Sequence, residues 1–219
     1  MRGEEVNAKQ EILSRIRTAL KDTVGQPEPV VEWQYHQPTP LEDVLDTFVE
    51  NIVDYKARIV RVPEAKVADA IVTALASMGA SSAVLPSGVP ESWRGHLQDA
   101  RIQIFDDEPQ LSHAELNEID AVVTGSAVSM AETGTICLDH GPDQGRRALT
   151  LVPDRHVCVV RAEDVMSDVP EAIQRLGDAV RAGQPVTWIS GGSATSDIEL
   201  SRVEGVHGPR QLYVVLQDG

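Results

Sequence analysis

The sequence predicts an α/β protein with a mainly parallel sheet, helices on both of its faces and a meander extension. Three observations carry that expectation. Apolar runs at residues 58–62, 82–85, 101–105 and 121–123 alternate with segments of helical periodicity, and such alternation demands crossover connections between parallel strands. After Thr124 the rhythm changes: the runs at 135–138, 149–152 and 157–160 follow one another without long helices between them, which predicts a meander or antiparallel extension. Aromatic residues make up only 4% of the chain, so the core must be built from Val, Ile, Leu and Ala.

Taken in order, residues 8–22 place Ile12, Leu13, Ile16, Ala19 and Leu20 at helical spacing with charges between them, the pattern of an amphipathic helix. Residues 23–38 hold three Pro, one Gly, Trp33 and Tyr35 and read as an extended arm, leaving the first helix to dock on the domain or on a second subunit. The expected organisation is an N-terminal helix and arm over 1–38 and an α/β domain over 39–219. Thr39-Pro40-Leu41-Glu42 reads as a helix start, with Thr39 as cap, Pro40 at the first position and Glu42 completing a capping box. That helix should run to Tyr55 or Lys56. Residues 64–78 predict a helix ended by Gly79, 90–98 a short helix and 111–117 a further turn or two. Asp168-Val169-Pro170-Glu171 opens another capped helix ending near Gly183, and 186–189 and 212–216 are the last strands.

At 219 residues the chain can form one sizeable domain. Its formal charge of -15 argues against non-specific affinity for nucleic acid or acidic membranes, because phosphates would be repelled; Arg146-Arg147 is a small local basic patch. No apolar run approaches the roughly 20 residues that span a bilayer, and the polar N-terminus lacks the apolar centre of a secretory signal. Both features point to the cytoplasm. Cys137 and Cys158 sit in apolar runs that suit buried, reduced thiols. Two cysteines fall short of the four thiolates usual for an iron–sulfur centre, so no cofactor is expected in this chain.

Two polar clusters attract attention as sites. Residues 186–190 empty into Gly191-Gly192-Ser193-Ala194-Thr195-Ser196-Asp197-Ile198-Glu199, and Glu132-Thr133-Gly134-Thr135 follows the run 119–123. Glycine lets a backbone approach a ligand, and hydroxyls add donors beside free N–H groups, so the first cluster reads as a loop for an anion or carboxylate. The plainer alternative is a turn capping a short helix through Ser196 or Asp197. Glu132 could act as base, nucleophile or substrate orienter, or it could cap amides or pair with Arg146 or Arg147. Asp197 and Glu199 could bind a cation or form a solvated pair. His207, flanked by Val206 and Gly208, is a proton carrier or a turn histidine bonded to backbone. His140 has weaker support, His36, His96 and His113 read as surface residues, and His156 reads as structural. No metal-binding pair and no Gly-x-Ser-x-Gly elbow is present, so no metal is assigned.

Thr124-Gly125-Ser126-Ala127, Glu132-Thr133-Gly134-Thr135, Arg146-Arg147, Pro153, the stretch Gly191 to Glu199 and Gly205-Val206-His207-Gly208-Pro209 occur in an order that resembles the LUD-domain family. The resemblance covers most of 121–218. It implies a Rossmann-like fold of the NagB, RpiA and CoA-transferase group. It further implies a part in oxidising L-lactate to pyruvate alongside iron–sulfur partner proteins. A related member joins its LUD region to ferredoxin-like cysteine clusters; this chain lacks them, so clusters are expected only in partners. The expected catalytic residues are Glu132 and His207. The expected ligand contacts are Gly125, Ser126, Thr133, Gly134, Thr135, Gly191, Gly192, Ser193, Thr195, Asp197 and Glu199, around a small carboxylate or phosphate-bearing ligand. A stand-alone CoA-transferase-like or sugar-phosphate enzyme, with Glu132 as nucleophile or base, and a non-catalytic interaction protein are the alternatives; a homo-oligomer is left open.

Overall fold

The computed structural model describes residues 8–21, 37, 40–195, 203–204 and 207–219. The chain divides into two units, Met1–Tyr35 and His36–Gly219. In the first, α1 (Ala8–Ala19) and the turn after it expose Ile12, Leu13, Ile16 and Leu20. Trp33, Tyr35 and most of the expected arm lie outside the described residues.

The second unit begins with α2 (Val44–Asp54), β1 (Arg58–Pro63), α3 (Val67–Ser77), β2 (Ser82–Leu85), α4 (Glu91–Asp99), β3 (Gln103–Asp106), α5 (His113–Asn117) and β4 (Ala121–Thr124). It continues with β5 (Val128–Met130), β6 (Thr135–Leu138), β7 (Arg155–Arg161), β8 (Val165–Met166), α6 (Val169–Arg181), β9 (Thr187–Ile189), β10 (Ala194–Thr195), β11 (Val203–Glu204) and β12 (Gln211–Asp218). Six strands form one sheet in the order β1-β12-β7-β4-β2-β3, and every neighbouring pair is parallel. Its central strands are largely apolar and buried in their middles because both faces are covered. On one face, Ile71, Leu75, Trp93 and Leu97 from α3 and α4 pack on Leu85, Val123, Val157, Val159 and Val215. On the other, Phe48 and Ile52 of α2 join Ile136 and Leu138 against Cys158, Val160, Val214 and Leu216, while Leu116 of α5 and Leu149 cover Val84 and Val122.

A second sheet, in the order β8-β5-β6-β9, lies on that latter face. Its β5–β6 and β6–β9 pairs are antiparallel and its β5–β8 pair is parallel. Val128, Met130 and Cys137 on its outer side receive Ala172 and Leu176 of α6. The expected extension is therefore present, with a different membership. Val157 to Val160 belongs to the parallel sheet: β7 pairs with β4 and β12, and its unbroken buried run marks a central strand. Residues 149–152 form no strand; Arg147–Thr150 is a turn of 3-10 helix that buries Leu149 and Thr150. The run at 186–190 is an edge strand, with Trp188 45% exposed.

The start of α2 also differs from the expected one. Its cap is Asp43, in extended conformation, whose carboxylate accepts the Asp46 N–H at 2.9 Å. Pro40 precedes the helix, and Thr39 lies outside the described residues. A start at Val44 is the one that buries Phe48 and Ile52. Asp168 caps α6 as expected, accepting from Glu171 N–H, with Pro170 in the first turn. Both cysteines are buried and unpaired, and burial pushes each thiol up to about 12. Among the described residues no helix is long and apolar enough to cross a membrane.

Loss of the Asp43 cap should cost about 1 kcal/mol. Asp43→Ala is expected to lower the urea midpoint accordingly, whereas Glu42→Ala leaves it within a few tenths of a kcal/mol (~0.5 at most).

Candidate functional site

Three stretches distant in sequence meet at the end of β9. Ser190 Oγ lies 2.7 Å from Thr135 Oγ1, and Thr133 donates its hydroxyl to Thr135 Oγ1 at 2.8 Å. Gly191 and Gly192 then turn the chain. Ser193 N–H donates to the Pro209 carbonyl at 2.8 Å, and Ser193 Oγ accepts the His207 N–H at 3.1 Å. Residues 133–135, 190–193 and 207–209 thus form one hydrogen-bonded assembly.

The glycines are required by their neighbour, α2. Gly134 and Gly191 have φ of 54° and 84°, a region that L side chains rarely adopt. A Cβ on Gly134 would stand 2.9 Å from the Asn51 backbone, and one on Gly191 would stand 2.7 Å from the Tyr55 carbonyl oxygen. Asn51 uses that closeness: its Nδ2 donates to the carbonyls of Ala131 at 2.8 Å and Glu132 at 3.1 Å.

Above this assembly is a cavity of about 240 Å³ lined by Thr150, Leu151, His156, Thr187, Trp188, Ile189, Ser190, Gly191, Gly192, Ser193, His207, Pro209 and Leu212. None of these described lining residues is acidic, in a chain of formal charge -15. His156 and Leu212 are the second residues of β7 and β12, so the cavity lies at the amino ends of the parallel strands. That differs from the carboxyl-end position usual for open α/β sheets. His140 ties Thr187 to the turn at Gly145: its Nδ1–H donates to the Gly145 carbonyl at 2.9 Å, and its Nε2 lies 2.9 Å from the Thr187 hydroxyl oxygen.

The floor holds His156, 1% exposed. Its Nε2 is 2.8 Å from Thr124 Oγ1, and Thr124 donates in turn to Cys158 Sγ at 3.7 Å. Cys158 donates to the Gly125 carbonyl at 3.5 Å. Burial alone draws His156 down to about 4, so the imidazole is neutral at pH 7.

Other expected site residues lie elsewhere. Glu132 is exposed on the β5–β6 turn and is not among the residues lining the cavity; its N–H donates to the Ser167 carbonyl at 3.0 Å. Arg146 pairs with Asp107, at 2.6 and 2.9 Å, in place of Glu132. Gly125 and Ser126 line a separate cavity of about 690 Å³ at the carboxyl ends of the parallel strands, with Glu64, Asp143, Glu163 and Arg161. The Arg161 charge is committed to Asp164 at 2.7 Å, and burial raises the Asp143 carboxyl above its ordinary range. Thr195 is in β10; Asp197 and Glu199 lie outside the described residues. His156 is the residue sequence reasoning passed over. The available signal was its spacing two residues before Cys158, which puts both polar side chains on one face of an apolar strand.

The unfolded chain, with His156 near its ordinary value of about 6.5, binds more protons than the folded protein down to about 4. Stability should therefore fall as pH drops through that window, by up to about 1.4 kcal/mol per pH unit from this group. His156→Gln is expected to flatten the slope of urea stability against pH by as much as one proton. An unchanged slope would mean that the folded protein already holds the ring charged.

The LUD domain family model matches residues 45–217. Lactate utilization protein C of Deinococcus radiodurans is 46% identical over 209 residues, 95% of each chain. The uncharacterized protein YkgG of Escherichia coli is 27% identical over 170 residues, 71% of each chain. The crystal structure of a DUF162 family protein from Deinococcus radiodurans superposes with a TM-score of 0.69 at 43% identity, covering 81% of this chain and 99% of that one. The chain belongs to the LUD domain family.

Proposed function

We propose that this protein is an accessory component of L-lactate utilisation that binds a small carboxylate in the cavity formed by residues 190–193 and 207–209, and that electrons pass through iron–sulfur clusters held by partner proteins. The pathway rests on the near full-length similarity to lactate utilization protein C. The binding role rests on one observation: the described lining of the cavity offers hydroxyls, backbone amides and two imidazoles, and no carboxylate. Such a surface suits an anion, because fixed donors replace water around the charge and no like charge opposes it. At about 240 Å³ the space suits a three-carbon acid and not a coenzyme. Gly191, Gly192 and Ser193 would supply donors, and His207 borders the opening. Thr135 acts through Ser190, holding the start of the loop.

Calorimetric titration of L-lactate, pyruvate and coenzyme A tests this reading. Wild type should bind one or both of the small acids and not coenzyme A. Ser193→Asp places a carboxylate beside the ligand and should weaken binding roughly tenfold or more, about 1.4 kcal/mol. Equal affinity in wild type and variant, or preference for coenzyme A, would reject the assignment.

A further inference from the structure

We propose that His156 Nδ1 takes up a proton when a small monocarboxylate enters the cavity, so that anion binding and protonation of a buried imidazole occur together. The inference rests on the anion-binding reading of the same cavity and goes beyond it in naming the counter-charge.

The direction of the hydrogen-bond row fixes where the lone pair is. A carbonyl oxygen can only accept, so Cys158 must donate its proton to Gly125. The Cys158 sulfur is then free to accept from Thr124, whose single hydroxyl proton is used there. Thr124 Oγ1 must accept from His156, which places the ring proton on Nε2. Nδ1 therefore carries an unshared pair. The Thr124 contact is the ring's hydrogen bond among the described residues, and the ring is almost wholly buried yet lines the cavity. It is a base at the wall of the cavity, held in one tautomer by Thr124, Cys158 and the Gly125 carbonyl.

Among the described residues the surroundings supply no competing charge. Thr124 faces the ring from β4 and Cys158 from its own strand; Leu212 lines the cavity from β12, Thr150 and Leu151 from the preceding turn, and Ser190, Ser193 and His207 from the loops. Of these only Cys158 and His207 titrate, and Cys158 stays protonated because burial pushes it up to about 12. Asp143 acts on Cys158 from the far side, near Gly125. Arg155, the sequence neighbour, turns its guanidinium to the Met78 carbonyl and Asp120. A carboxylate entering this space loses water and meets no resident cation among the described lining residues, which is costly unless a positive partner forms. An adjacent anion favours the imidazolium. The balance is one carboxylate and one solvent proton bound together, with no bond broken and no electron moved. One new positive charge matches one negative charge, which selects monocarboxylates over dicarboxylates or phosphate dianions.

The test is calorimetry with sodium L-lactate and sodium pyruvate in two buffers of different ionisation enthalpy. Near pH ~5.5 wild type should take up close to one proton per ligand, and affinity should weaken by up to about tenfold for each pH unit raised. Uptake per bound ligand should vanish in His156→Gln. If His156→Gln does not fold, the imidazole resonances of wild type titrated with and without pyruvate give the same answer, as one histidine whose pKa rises on binding. Binding without buffer dependence, or uptake unchanged in His156→Gln, overturns the proton assignment and leaves the anion site standing. Absence of binding by either acid overturns the anion-site reading itself, and this inference with it.

Discussion

The close approach of α2 to two glycines is the constraint on which the rest of the site depends. Asn51 and Tyr55 stand where any side chain at Gly134 or Gly191 would be, within 3 Å of an added Cβ. The helix is held there by Phe48 and Ile52, both fully buried against Ile136, Leu138, Leu212 and Leu216, each side chain contributing on the order of 1.5–3 kcal/mol. With the helix seated, the Asn51 amide fixes the 131–134 turn and Thr135 meets Ser190. The loop at 190–193 is thereby placed before any ligand arrives, and little ordering entropy is left for binding to overcome.

Charge separates the cavities. Two cavities at the carboxyl ends of the strands contain Asp106, Asp107 and Glu108 or Glu64, Asp143 and Glu163, and two of the arginines that line them are tied to carboxylates, Arg146 to Asp107 and Arg161 to Asp164. The cavity at the amino ends of β7 and β12 has no acid among its described lining residues. In a protein of formal charge -15, a place whose described lining holds no carboxylate is where a small anion meets least repulsion. The fold's habitual ligand edge is thus lined with acids, and the described lining at the opposite edge is not.

Much of the architecture was legible because it is written in local patterns. Strands buried on both faces, such as β2 and β4, are mostly apolar, and helices such as α6 announce themselves by Asp168 at one end and Gly183 at the other. What failed depended on partners far away. Residues 149–152 are apolar enough for a strand, yet Pro153 follows and Leu149 finds its place beside Leu116 and Val122 as a single turn. Membership of β7 in the parallel sheet depends on β12, more than fifty positions later, which no local window contains. In the site, the meeting of 133–135, 190–193 and 207–209 could be expected from glycine and hydroxyl content. The separation of Gly125 and Ser126 from them could not, because strand order decides which end of the sheet each loop occupies. His156 passed as structural for a similar reason: its meaning comes from Thr124 and Cys158, brought alongside by the parallel register.

Backbone amide mapping by nuclear magnetic resonance tests the central claim most directly, because the rival cavities have amides of their own. Addition of sodium L-lactate to the full chain should shift the amide signals of Gly191, Gly192, Ser193 and His207 and leave those of Gly125 and Ser126 in place. Shifts confined to Gly125 and Ser126 would move the ligand to the opposite edge of the sheet and contradict the account.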